Sequence, residues 1–93
     1  MGLSDNIKEV LIVNKRGLHA RASAKFVAAA AEMEGTTVKV AKDGNDALGT
    51  SILGLMMLGA AKGDTVVLSV EGDNAEERLA ELVMLVENGF GED

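Results

Sequence analysis

The chain has 93 residues, which suffices for a single domain over 1–93 with one modest core. It has no cysteine and one histidine, so disulfides, thiolate metal sites and intramolecular multi-histidine metal sites are excluded. A formal net charge of −6 argues against a nucleic-acid partner.

The opening MGLSDNIKEV does not read as a signal peptide, because Asp5 and Glu9 interrupt any apolar run. Gly2 and Ser4 do not complete a myristoylation pattern, since Asn6 stands where Ser or Thr is required. The longest nearly uncharged stretch, 47–61, holds three glycines and is too short to cross a bilayer. No membrane partner is therefore expected. The lack of cysteine fits a reducing cytoplasm.

Taken in chain order, residues 7–14, IKEVLIVN, are apolar and β-branched enough for a strand. Lys15, Arg16 and Gly17 break that pattern. Ala22, Phe26, Ala29, Ala30 and Met33 then follow the stripe of an amphipathic helix over 20–34. Gly35 sits where a helix C′ residue belongs. TTVKVAK at 36–42 alternates as a second strand, and Asp43-Gly44 signals a hairpin into a third strand over 46–50. Ser51 starts a short second helix through Leu58, ended by Gly59 or Gly63. DTVVLSVE at 64–71 is a fourth strand. Asp73 and Glu76 predict a capping box for a third helix, buried through Leu79, Leu82, Val83 and Val86 and terminated by Gly89.

The order β-α-β-β-α-β-α, with a hairpin in the middle, predicts an α+β fold: a mostly antiparallel four-stranded sheet with three helices on one face. Only Phe26 and Phe90 are aromatic, so the core is expected to be built largely from Leu, Val, Ile, Met and Ala.

His19 is predicted to precede the first helix directly. The first turn of a helix has free N–H groups and partial positive charge, and such a spot accepts anions, phosphate in particular. Lys15, Arg16, Arg21 and Lys25 surround the imidazole on an otherwise acidic chain. An imidazole placed there suits nucleophilic phosphoryl acceptance, with the Arg21 guanidinium on the same oxygens and the other cations adding field. A histidine in this place also serves as a plain helix cap, and solvated charges are common, so the residues alone leave both readings open. No acid, second base or metal cluster is apparent beside it in the sequence, so a self-sufficient hydrolase looks poorly equipped.

GLHARASAKF at 17–26 and TSILGLMMLGAAKGD at 50–64 resemble the two signature segments of the histidine-containing phosphocarrier (HPr) family of the bacterial phosphoenolpyruvate-dependent phosphotransferase system. The resemblance runs from about Ile7 to Gly91 in the same element order. It implies an open-faced β-sandwich. By position, His19 resembles the residue phosphorylated on Nδ1 and Arg21 its phosphate-stabilising partner, with phosphate contacts along Ala20, Arg21 and Ala22. Ser51 matches a serine that regulatory kinases modify in some branches. Ile52, Leu53 and Met56 match an apolar patch that docks partner proteins.

Implied partners are an upstream phosphoenolpyruvate-protein phosphotransferase, a downstream IIA-type protein and, where the host has one, a serine kinase or phosphorylase. A monomer that needs no cofactor is expected, a stoichiometric phosphoryl carrier and not a stand-alone enzyme. Ala22 departs from the proline most members carry; proline costs nothing in the first helical turn, while alanine restores one N–H donor and slightly loosens the helix entry, with no loss of function expected. Together with Ser23 and GTSILGLMMLG it resembles the nitrogen-related branch more than the sugar-uptake members. A regulatory binding module switched at His19 or Ser51 is the alternative. A ferredoxin-like ligand-sensing domain shares part of the element order but would not require His19 or Arg21.

Overall fold

The computed structural model describes residues 6–92, and the readings of Gly2, Ser4 and Asp5 lie outside the described residues. The elements are β1 (Ile7–Leu11), α1 (Ala20–Ala31), β2 (Thr36–Lys42), β3 (Asn45–Leu48), α2 (Ile52–Met57), β4 (Thr65–Gly72) and α3 (Ala75–Glu87), followed by a 3₁₀ turn at Gly89–Gly91. The four strands form one antiparallel sheet in the order β1-β4-β2-β3. The α+β open-faced sandwich expected from the sequence is the fold observed.

β4 sits between β1 and β2, and its period-2 alternation sets the register. Val66, Leu68 and Val70 point into the core, opposite Val10, Val40 and Val38 respectively. The helices cover this face through Phe26 and Ala30 of α1, Leu55 of α2, and Leu79, Leu82 and Val86 of α3. The other face stays open, with Ile7, Leu11 and Leu48 about half exposed. Asp43 and Gly44 both adopt positive φ (52° and 85°), as a two-residue hairpin turn of the right twist demands.

The helix boundaries differ from the sequence reading in instructive ways. α1 stops at Ala31 rather than near residue 34, because Glu32 and Met33 donate back to Ala29 and Ala30 and tighten the last turn. Met33 remains buried, so the apolar stripe outlasts the helix. Gly35, at φ +79°, serves the turn into β2 and is not the C′ residue. The capping box at Asp73 does not form. The turn out of β4 requires a left-handed residue, which is Asn74 (φ 53°); it starts α3 without a side-chain cap while the Asp73 N–H bonds the Gly35 carbonyl. β1 ends at Leu11, although Ile12 still exchanges hydrogen bonds with Asp64 and Gly63 at 2.8 Å each. β3 runs over 45–48, one residue earlier at its start than expected and two at its end.

Candidate functional site

The loop from β1 to α1 is held from both sides. Asn14 is 1% exposed and donates its Nδ2 to the Gly17 carbonyl at 2.9 Å. The Leu18 N–H bonds Ala60 O at 3.0 Å, which ties this loop to the segment after α2. Ser23, also buried, returns its hydroxyl to the Leu18 carbonyl at 3.1 Å. With Leu18 drawn into the core, the next residue is turned to the surface.

That residue is His19, the N-cap of α1, in extended conformation (φ −74°, ψ −178°). Its Nδ1 accepts the Arg21 backbone N–H at 3.2 Å. Nδ1 therefore lies at the positive end of a twelve-residue helix, as the sequence predicted. Arg21 is exposed and, among the described residues, forms no ion pair. Ala22 packs its methyl fully into the core, so its only route to an anion is its backbone N–H.

Lys15, Arg16, Arg21 and Lys25 line one open cleft of about 360 Å³, together with Gly91 and Glu92. Four residues spread over eleven positions thus converge, as their clustering around His19 suggested. Lys25 has a second duty: its Nζ donates to Phe90 O at 2.8 Å and pins the turn after α3 against α1.

Glu92 was not legible in the sequence as a site residue. Its Oε2 lies 2.6 Å from His19 Nε2, and its Oε1 accepts from Asn14 Nδ2 at 3.0 Å. The histidine therefore has an acid beside it after all, 73 positions away in the chain. Partial desolvation pushes the Glu92 carboxyl up, but hydrogen bonds from Asn14 and His19 and the charges of His19 and Lys25 outweigh it. The net direction is down from the ordinary 4.5, so the group is a carboxylate at neutral pH.

The apolar run of α2 divides as expected. Leu55 is wholly buried, whereas Ile52, Leu53, Met56 and Met57 are exposed; Leu53 and Met57 reach 67% and 77%. Met57 belongs to the exposed surface with the three residues singled out from the sequence. Ser51 is the N-cap of α2, its Oγ accepting the Gly54 N–H at 3.0 Å. Among the described residues no group of three or more His, Cys, Asp or Glu could hold a metal ion, and no helix is long and apolar enough to cross a membrane.

Residues 7–88 match the family model for the PTS HPr component phosphorylation site. The chain is 41% identical to the phosphocarrier protein HPr of Cupriavidus necator over 91% of its own length and 94% of the relative's. It is 44% identical to HPr of Pseudomonas aeruginosa, covering 90% and 93%. To phosphocarrier protein NPr of Shewanella violacea it is 35% identical, covering 91% and 92%. The crystal structure of HPr-C-His from Thermoanaerobacter tengcongensis superposes with a TM-score of 0.87 at 42% identity, over 94% of this chain and 97% of that one. An imidazole on a helix N-terminus, a cationic cleft beside it and these matches agree, and the chain belongs to the HPr family of phosphocarrier proteins of the phosphotransferase system.

Proposed function

We propose that His19 Nδ1 is the atom that carries the phosphoryl group. An upstream phosphoenolpyruvate-protein phosphotransferase donates it and a IIA-type protein accepts it. The observation that carries this reading is the placement of Nδ1 at the start of α1 beside the Lys15, Arg16, Arg21 and Lys25 cleft. The nucleophile attacks in line, and the protein's contribution is position and charge. The Arg21 guanidinium meets the equatorial oxygens, while the backbone N–H groups of Ala20, Arg21 and Ala22 face the dianion. Arg21 N–H exchanges its contact with Nδ1 for one with a phosphate oxygen.

In this role residues 1–93 form one cytoplasmic, monomeric domain that turns over once per phosphoryl group, a carrier rather than an enzyme. The relatives bear both names, HPr and NPr, and the reading is the one common to both. The exposed Ile52, Leu53 and Met56 dock the partners; methionine there adapts to more than one surface.

The test is incubation with phosphoenolpyruvate and an upstream enzyme, read by intact mass. One added phosphate is expected on the wild type and none on His19→Ala, with the fold unchanged by circular dichroism. Arg21→Ala should still be labelled, but more slowly. Labelling that survives in His19→Ala refutes the assignment.

A second reading is favoured by the exposed α2 patch beside a capping serine. There the chain is a regulatory module whose partner binding is switched by phosphorylation at His19 or, through a serine kinase, at Ser51. A phosphate on Ser51 adds about two negative charges next to the patch and weakens docking without unfolding the helix. A pull-down that yields a stable, non-transferring partner sensitive to either modification supports it; no such partner counts against it.

A further inference from the structure

The imidazole of His19 is gripped at both nitrogens, and the two grips dictate the same tautomer. Arg21 N–H can only donate, so Nδ1 must accept. The Glu92 carboxylate can only accept, so Nε2 must carry the proton. We propose that Glu92, aimed by Asn14, is a positioning residue for phosphoryl transfer: it fixes the proton on Nε2 so that Nδ1 is the free nucleophile and later a neutral leaving group. This rests on the reading of His19 as the phosphoryl acceptor.

Asn14 shows that the contact is built. Its side chain is buried and its Nδ2 serves both Gly17 O and Glu92 Oε1, while its Oδ1 has no partner among the described residues. Turning the amide over would set Oδ1 against two acceptors, so the orientation is forced. An orphaned buried oxygen is a standing cost that structures seldom keep without reason. Here it accompanies the alignment of Glu92. The strap that brings Glu92 round is also anchored, by buried Phe90 and by the Lys25 bond to its carbonyl.

When Nδ1 attacks the phosphorus of a phosphohistidine donor, the donor's P–N bond breaks and its electron pair returns to the donor ring. The His19 ring, now bearing phosphoryl on Nδ1 and hydrogen on Nε2, is cationic, and its charge faces the Glu92 carboxylate. In the onward step the P–Nδ1 bond breaks and the pair returns to Nδ1. The ring leaves neutral because Nε2 kept its proton; without that proton the leaving group would be an imidazolate anion. No external acid or base is required in either direction.

The experiment compares wild type, Glu92→Ala and Glu92→Asp by ring-¹⁵N NMR of the unphosphorylated protein and by the rate at which His19 accepts phosphate from the phosphorylated upstream enzyme. Wild type should show hydrogen on Nε2, shielded from exchange with water. Glu92→Ala should lose that shielding and accept phosphate at least about tenfold more slowly, because the positive charge developing on the ring loses one charge-assisted hydrogen bond. Glu92→Asp should recover part of both. Hydrogen on Nδ1 in the wild type, or either readout unmoved in Glu92→Ala, overturns the proposal. If wild type is never phosphorylated at His19, the carrier reading fails instead, while the ring spectra still report on the Glu92 contact.

Discussion

At Gly17 the backbone takes φ +62° while passing the Ala60 carbonyl, and a Cβ built there would fall onto that oxygen and onto the Ala61 backbone. Neither obstacle is a flexible side-chain end, so nothing nearby yields cheaply. Gly17→Ala therefore meets a left-handed conformation and a backbone clash together, at a cost of about 1–3 kcal/mol. The Leu18 N–H to Ala60 O bond lies in the path of any relaxation, and His19 follows one residue on. The expected outcome is a lower denaturation midpoint with slowed phosphoryl acceptance, seen by chemical unfolding and by intact mass. A variant as stable as wild type would show that the loop has more room than its contacts indicate. Ser23 illustrates what one sequence conceals: no local pattern announces that its buried hydroxyl donates to Leu18 O inside the core.

α2 is six residues long and nearly all apolar, and its periodicity alone could not assign a buried face. The run nevertheless carries too many large side chains for one side of a short helix. The structure resolves it as Leu55 inward and Ile52, Leu53, Met56 and Met57 outward. Elements with strong local signals were legible in the same way. β2 and its Asp43-Gly44 turn, the Ser51 cap and the α3 stripe all carry their cues in adjacent residues. The C-terminal end of α1 and the start of α3 did not, because a tightened last turn and a left-handed Asn74 answer to the neighbouring loop. The two faces of α2 make opposite predictions. Leu55→Ala should destabilise by about 2–5 kcal/mol with the patch intact. Leu53→Asp should leave stability within about 0.5 kcal/mol but slow transfer to and from partners. Urea unfolding and transfer rates measured on both variants check the division; a Leu53→Asp protein that transfers at the wild-type rate removes the patch from the docking surface.

Across the whole molecule, what escaped the sequence is what depends on closure of the chain. His19, Arg21 and the cations around them lie within one short segment, so their convergence could be read from spacing and from family resemblance. Glu92 joins His19 from 73 residues away, and no local pattern announces it. The agent of closure is Phe90, one of two aromatics, 1% exposed and itself left-handed at φ 58° between Gly89 and Gly91. It plugs the end of the core and turns the strap back over α1, where Lys25 holds its carbonyl. Phe90→Ala should cost about 3–5 kcal/mol. That is a large share of the 5–15 kcal/mol typical of a domain, and it lowers Tm by more than about 10 °C. Leu55→Ala sets the control, since it leaves a cavity of comparable cost under α2 without altering the strap itself. At a temperature where both variants stay folded, shielding of the Nε2 proton should fall in Phe90→Ala and persist in Leu55→Ala. Equal loss in the two would mean that the site merely tracks global stability; loss in Phe90→Ala alone means that one buried ring holds the carboxylate on the histidine.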